Sequence, residues 1–398
     1  MLALFTGAMA GSSLWIMSTG ALMPFFSAAF RVGQAQLGLI LSIQLIGSVA
    51  MTSLAGILTD RFGDRAVVFW SGVVMSSGLI AASLVANFTW LICTLMIYGI
   101  GYAAVTPAGS HAIIFFFKRA ERGFAMGVRQ CGVPIAGVVG SLLLPAVAAH
   151  FQYRGALAVA GLVTLLACSI ASALYREPQE LRGQRVSMRA MLVDMLAIAR
   201  EPRLIFLTLT SMILICAQFA LMGFLTLTLV RHAAYPLAFC VGLFTLAQLG
   251  AVAGRLSWGW LSDRLFGGSR TLPLALVSLL VALVAFAVAF IGEGTPLWIA
   301  AVIALAFGFT AEGWLGVSII GFAEIGGAER SGSALGVGLT WTLLAAFITP
   351  TVFGALVQAQ GFAAAWRFLA LFEIAGVIPA LLATRSIGRA LSAQSSTS

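Results

Sequence analysis

Gly56-Ile57-Leu58-Thr59-Asp60-Arg61-Phe62-Gly63-Asp64-Arg65 and Gly259-Trp260-Leu261-Ser262-Asp263-Arg264-Leu265-Phe266-Gly267-Gly268-Ser269-Arg270 are two versions of one short polar loop, with Asp263 standing 203 residues after Asp60. Other landmarks repeat in the same order. Glu121-Arg122, followed by Gly127, returns 208 residues later as Glu329-Arg330, followed by Gly336, and Tyr153-Arg154 returns 213 residues later as Trp366-Arg367. Three landmarks at nearly constant offsets mark an internal duplication, two halves built on one plan.

What separates these loops is apolar. Hydrophobic residues make up 61% of the 398-residue chain and charged residues 9%, against roughly 45–50% and 25% in soluble domains, and the mean hydropathy is +1.05. The apolar residues gather in about twelve stretches: 2–26, 36–58, 66–86, 90–117, 124–149, 154–175, 204–230, 237–260, 272–292, 296–322, 332–358 and 363–384. At ~1.5 Å per residue, each crosses a hydrocarbon core of about 30 Å as a helix. A closed barrel would instead show alternating strands of about ten residues. Stretch 1 has neither a basic leader nor a small-residue cleavage site before a soluble domain, so it reads as a membrane helix rather than a signal peptide.

The formal net charge of +9 is a topology signal rather than a nucleic-acid footprint. Sixteen of the 22 Lys and Arg fall in the connections and tail on the side shared by both termini, four (Arg31, Arg154, Arg231, Arg367) on the other, and two (Arg129, Arg255) inside apolar stretches. The positive-inside rule therefore predicts cytoplasmic termini. The longest polar stretch contains Glu177-Pro178, Gly183 and six arginines. It divides the chain into an N-terminal six-helix bundle, 1–175, a cytoplasmic linker, 176–203, with helical character around Met188 to Ile198, and a C-terminal six-helix bundle with a short tail, 204–398. Cys93, Cys131, Cys168, Cys216 and Cys240 stand singly within apolar stretches and read as small packing residues, not as a disulfide framework or zinc site.

This organisation resembles the major facilitator superfamily over essentially the whole chain. The family's most specific signature, Gly-x-x-x-Asp-Arg-x-Gly-x-Arg after the second membrane helix, is complete in Gly56, Asp60, Arg61, Gly63 and Arg65. The second copy (Gly259, Asp263, Arg264) has one inserted residue before its glycine. The resemblance implies an all-α membrane protein, twelve transmembrane helices in two pseudo-symmetric six-helix bundles flanking a central cavity, that moves a solute by alternating access. In such a loop Gly56 lets two helix ends approach, Asp60 accepts hydrogen bonds from a neighbouring helix N-terminus, and Arg61 and Arg65 hold the loop to the cytoplasmic face.

A charge deep in a bilayer costs ~2.5–3.5 kcal/mol on insertion scales, so each one inside a stretch needs a reason. His111, Arg129, Arg255 and Glu312 are such residues, and the resemblance places their stretches (4, 5, 8 and 10) around one cavity, where they are expected to share a site. Gly254-Arg255, a little over one helical turn before the second signature loop, resembles the monocarboxylate-transporter and oxalate:formate-antiporter branch, in which an arginine at that place binds the substrate carboxylate. A guanidinium stays charged and offers a planar fork that matches a carboxylate. The implied substrate is a mono- or dicarboxylate anchored by Arg255, with Arg129 as a second positive wall, Gln130 and His111 as further contacts, and Tyr102 and Trp341 as aromatic lining. Glu312 and then His111 are the expected proton carriers. Nitrate porters share the arginine of helix 8 but add an arginine in helix 2 and a glycine–asparagine signature, where this chain has Gln44 and no asparagine in stretch 5. The run Gly127 to Gly140 half resembles the helix-5 motif of drug:proton antiporters, although Val133 and Val138 break the match; export is the alternative reading. Glu324 and Glu329 are expected to pair with loop arginines, and Glu373 lies in stretch 12, which is peripheral in such a fold.

No enzyme is indicated. The three histidines (His111, His150, His232) are isolated, no metal-ligand spacing occurs, and there is no phosphate loop, so the energy source is a gradient rather than ATP. The expectation is a monomeric secondary transporter of a bacterial-type inner (plasma) membrane, whose partners are a small anionic substrate, protons and the lipid bilayer, with no cofactor, metal or nucleic acid. A transport-inactive solute receptor of the same fold is the remaining alternative.

Overall fold

The computed structural model describes residues 1–32, 34–176, 178, 193 and 195–384. All twelve apolar stretches are helical there, though helices and stretches do not correspond one to one. Stretch 1 forms α1 (Leu2–Phe30), and stretches 2 and 3 form one run, α2 (Gln34–Leu84), that reverses at Gly63 with φ 80° and ψ 165°. That is the signature-loop glycine, in a conformation that strains any residue with a side chain. Stretch 4 divides into α3 (Phe88–Tyr102) and α4 (Ser110–Phe116). Stretches 5 and 6 form α5 (Arg122–Gln130) and α6 (Gly132–Leu174), the latter turning at Gln152. Then come α7 (Pro202–Arg231), α8 (Leu237–Arg264) and α9 (Thr271–Val288). Stretch 10 divides between α10 (Leu297–Ala311) and α11 (Leu315–Gln360), which turns at Gly327 and Arg330 and carries stretch 11. The last is α12 (Phe362–Ala375), with helix resuming over 377–384. Among the described residues, eight helical runs are long and apolar enough to cross a membrane.

Stretches 4 and 10, expected as continuous helices, are each open. Pro107 has no N–H to donate and disfavours helical geometry in the residue before it, and Gly109 takes φ 82°, so the chain between α3 and α4 turns rather than spirals. In stretch 10 the opening lies at Glu312, Gly313 and Trp314. The expected linker lies mostly outside the described residues; 193 and 195–198 are helical.

Packing groups the chain into two compact units that cut across sequence order. Unit 1 is Met1–Phe116, Val128–Met195 and Gly326–Thr340; unit 2 is Phe117–Gly127, Leu196–Ile325 and Trp341–Ser398. In unit 1, α6 packs along α1 and α2, and α2 along α3. Trp15 meets Phe26 edge-on at 6.0 Å, and the Tyr153 hydroxyl donates to the Val85 carbonyl at 2.9 Å. In unit 2, α8 packs on α10 and α9 on α12. Trp366 sits edge-on to Phe307 (5.5 Å) and Phe353 (4.8 Å), and its indole N–H donates to Thr228 Oγ1 at 2.9 Å. Both units also turn large apolar side chains outward, among them Trp70, Leu142 and Leu371, a surface that hydrocarbon rather than water solvates.

Candidate functional site

Within unit 2 the polar centre is the seam between α8 and α10. A Cβ at Gly254 would run into the backbone of Phe309, so this glycine is what lets the two helices touch. Trp258 clamps the same place, its indole N–H donating to the Phe309 carbonyl at 3.1 Å. One residue beyond Gly254, Arg255 Nη2 lies 3.7 Å from Glu312 Oε2, and both side chains are essentially removed from solvent. Gln248, two turns earlier on α8 and so on the same face, donates from Nε2 to Glu312 Oε1 at 3.2 Å. Glu312 stands where α10 opens: its own N–H still reaches the Gly308 carbonyl at 3.2 Å, after which the chain turns through Gly313. The arrangement is a buried cation, a buried anion and an amide that orients the anion.

Substituting Gly254 with alanine tests this seam. The added methyl meets main chain, which cannot swing aside, so an overpacking cost of about 1–3 kcal/mol is expected. It should appear as a lower thermal midpoint of the purified protein and as weaker coupling of Arg255 to Glu312. A midpoint equal to that of the unmodified protein would show that the helices are not in contact at this point.

Within unit 1, Arg129 spans the opening in stretch 4. Its Nη2 donates to the carbonyls of Val105, Thr106 (3.2 Å) and Ala108 (2.6 Å), and its Nη1 to Ser110 Oγ (3.3 Å). Asp64 completes the arrangement, accepting from the Gly109 and Ala112 amides at 2.8 and 3.0 Å. The guanidinium thus holds carbonyls that the missing helical turn leaves without helical partners, and an anion at Arg129 would compete with them. Gln130 is buried beside it at the end of α5. Tyr102 stacks on Tyr98 at 5.8 Å and shares a hydrogen bond with Ser13 (3.2 Å). Trp341, in unit 2, is 51% exposed. The side chains of His111 and Glu329 lie outside the described residues.

The two signature loops do the same job in the two units. Asp60 accepts from the amides of Gly332 (2.9 Å) and Ser333 (2.8 Å) and from Ser333 Oγ (2.6 Å), at the start of stretch 11. Asp263 accepts from the amides of Gly123 (3.2 Å) and Phe124 (2.9 Å), at the start of stretch 5. Each carboxylate meets the positive end of a helix. The Arg61 guanidinium lies over the Phe62 ring at 5.3 Å, the Arg65 carbonyl accepts from Ser172 Oγ at 2.9 Å, and Arg264 is exposed.

Two residues at these loops carry more than their sequence positions suggest. Asp64 occupies a variable position of the signature yet is buried and bonded. Arg270, at the head of α9, is a hub that donates to Asp263 (2.6 Å), Ser262 Oγ (2.9 Å), Glu324 (3.0 and 3.1 Å) and the Arg119 carbonyl (3.1 Å). Burial alone would lower its pKa, but Glu324 and Asp263 hold it above the ordinary arginine value. Glu324 therefore pairs as expected, and it also lies 3.8 Å from Arg122. The sequence signal for the hub is that a second loop arginine follows the aspartate in each half, Arg65 after Asp60 and Arg270 after Asp263.

The sequence profile of the Major Facilitator Superfamily matches residues 3–350. An MFS-type transporter of Mycobacterium tuberculosis (strain ATCC 25618 / H37Rv) is 26% identical over 373 residues, covering 93% of this chain and 82% of that protein. The 3-(3-hydroxy-phenyl)propionate transporter of Escherichia coli (strain K12) is 26% identical over 243 residues, 60% of this chain and 58% of that one. Among solved structures, the Major Facilitator Superfamily transporter FucP in the outward conformation is similar with a TM-score of 0.77 at 19% identity, covering 96% of this chain and 98% of the other. Likeness at that identity shows the fold, an all-α membrane protein with twelve transmembrane helices.

Proposed function

We propose, because this chain belongs to the Major Facilitator Superfamily of membrane transporters, that it moves a small organic anion, a mono- or dicarboxylate, across the inner membrane by alternating access. The observation that carries this reading is Arg255, a fully buried guanidinium on a membrane helix. Glu312 lies 3.7 Å from it, longer than a direct charge-assisted hydrogen bond of about 2.7–2.9 Å. A substrate carboxylate that takes the place of Glu312 at the guanidinium can meet its planar fork bidentately. A carboxylate is also the cargo named for the E. coli relative. Arg129, Gln130, His111, Tyr102 and Trp341 are proposed as further contacts, and Glu312 as the proton carrier with His111 second. The bonds made by Asp60 and Asp263 are proposed as the latches made and released in the cycle.

A thermal-shift screen of the purified protein tests the substrate class, because a ligand bound only by the folded state stabilises it, by about 2.7 kcal/mol at 100 times its Kd. Small carboxylates should raise the midpoint and then exchange across proteoliposome membranes. Stabilisation by cationic drugs, with carboxylates inert, would replace this reading with export.

Both termini and the 176–203 segment are proposed to face the cytoplasm, on the charge asymmetry of the loops. Single cysteines introduced between 179 and 192 should react with an impermeant maleimide only in inverted vesicles. Labelling in right-side-out cells would reverse the topology.

A further inference from the structure

Glu373 lies on α12 with none of its surface exposed. The family resemblance put stretch 12 at the periphery, but this side chain points into unit 2. α12 packs on α9 and α7, and the groups facing the carboxyl are the Ala217 amide and Cys216 thiol of α7 and the Ser278 hydroxyl of α9. None of them satisfies it. Both carboxyl oxygens are without a hydrogen bond of ordinary geometry; Ser278 Oγ donates to the Glu373 backbone carbonyl instead, and Cys216 Sγ lies 3.1 Å from the Met212 carbonyl. Among the described residues no ion pair includes Glu373.

The charges on the neighbouring elements are elsewhere. Arg203 and Arg231 stand at the two ends of α7, Arg203 paired with Glu201 at 2.6 Å, and α9 has no ionisable side chain from Thr271 to Val288. On α12 itself Arg367 is exposed, its guanidinium over the Phe290 ring at 5.5 Å. The helix is also interrupted just past the carboxyl: the Gly376 amide donates to the Glu373 carbonyl at 3.0 Å, a tightened turn before helix resumes at 377.

An ionised carboxylate in this place would have no paired cation and only the poorly aligned Ala217 amide and Ser278 hydroxyl near it, whereas the neutral acid loses far less on leaving water. We propose that Glu373 is a proton-binding site of unit 2, separate from Arg255 and Glu312, where the carboxyl is held as the neutral acid while α12 is packed on α7 and α9. Glu312 has a guanidinium at its side; Glu373 has only weak dipoles and apolar contacts. Nothing in this assignment depends on which solute the transporter carries.

Infrared spectroscopy of the full chain in lipid at neutral pH reads the site directly. The expected spectrum contains the carbonyl band of a protonated, weakly hydrogen-bonded carboxyl, well above the ionised-carboxylate bands and slow to shift in D2O. That band should disappear in Glu373→Gln, a neutral mimic of nearly the same shape, and persist in Glu312→Gln. A band that survives Glu373→Gln, or one lost only in Glu312→Gln, overturns the assignment. Should Glu373→Gln fail to fold, the unmodified protein and Glu373→Asp still decide. A shorter acid in the same surroundings must move the band, and an unmoved band, or no protonated-carboxyl band at neutral pH in the unmodified protein, overturns the proposal.

Discussion

Replacing Arg255 with alanine is expected to weaken binding of the proposed carboxylate substrate by roughly 30-fold to several thousand-fold, the equivalent of about 2–5 kcal/mol for truncating one partner of a buried charge pair. The measurement needs a control, because the same substitution strands Glu312. An uncompensated buried charge destabilises by about 3–5 kcal/mol, so the single variant can lose binding simply by losing structure. The double variant Arg255→Ala/Glu312→Gln removes both charges and should recover most of the thermal midpoint without recovering affinity. Recovery of both would make the arginine a structural counter-ion. Arg255→Lys keeps the charge but not the planar fork, and is expected to fold normally and bind the anion weakly. Wild-type affinity in Arg255→Lys would show that charge alone, and not bidentate geometry, is recognised.

The parts of the structure legible in the sequence are those that depend on length, composition and repetition. A stretch of more than twenty apolar residues has few alternatives to a membrane helix, and Asp60 and Asp263 announce their shared role because the loop occurs twice. Facing was not legible. In a soluble helix the polar face marks what points outward, but lipid and protein interior are both apolar, so stretch 12 reads the same whichever way Glu373 turns. The openings in stretches 4 and 10 escaped for a related reason: hydropathy is unchanged when a helix unwinds for a turn. Pro107 and Gly109 signalled one of them, and Gly313 only faintly the other. Gln248 was passed over because an amide in a membrane stretch is unremarkable until a carboxylate is found opposite. Asp64 and Arg270 drew no role from the sequence beyond their place in the loops; their burial depends on Arg129 and the opened turn of stretch 4 in one unit and on Glu324 in the other, partners far along the chain.

Glu312→Gln should separate substrate exchange from energy coupling. The amide keeps the shape of the side chain and imitates its protonated form, leaving Arg255 with no competing carboxylate. Proton and anion binding are then linked: protonating Glu312 removes a negative charge from beside the guanidinium and releases it to the substrate, and by reciprocity a bound anion favours protonation. In the unmodified protein, substrate affinity should therefore fall as pH rises through the range in which Glu312 gives up its proton. In Glu312→Gln, affinity should be high and independent of pH over that range. Counterflow of labelled substrate between two pools at equal pH requires no net proton movement and should continue in the variant. Accumulation driven by an imposed pH gradient should be lost, because the proposed proton carrier is gone. Gradient-driven uptake that survives in Glu312→Gln, and again in His111→Gln, would remove both residues as proton carriers. If Glu373→Gln then abolished the accumulation that Glu312→Gln leaves intact, the coupling proton would belong to α12 rather than to the opening in stretch 10.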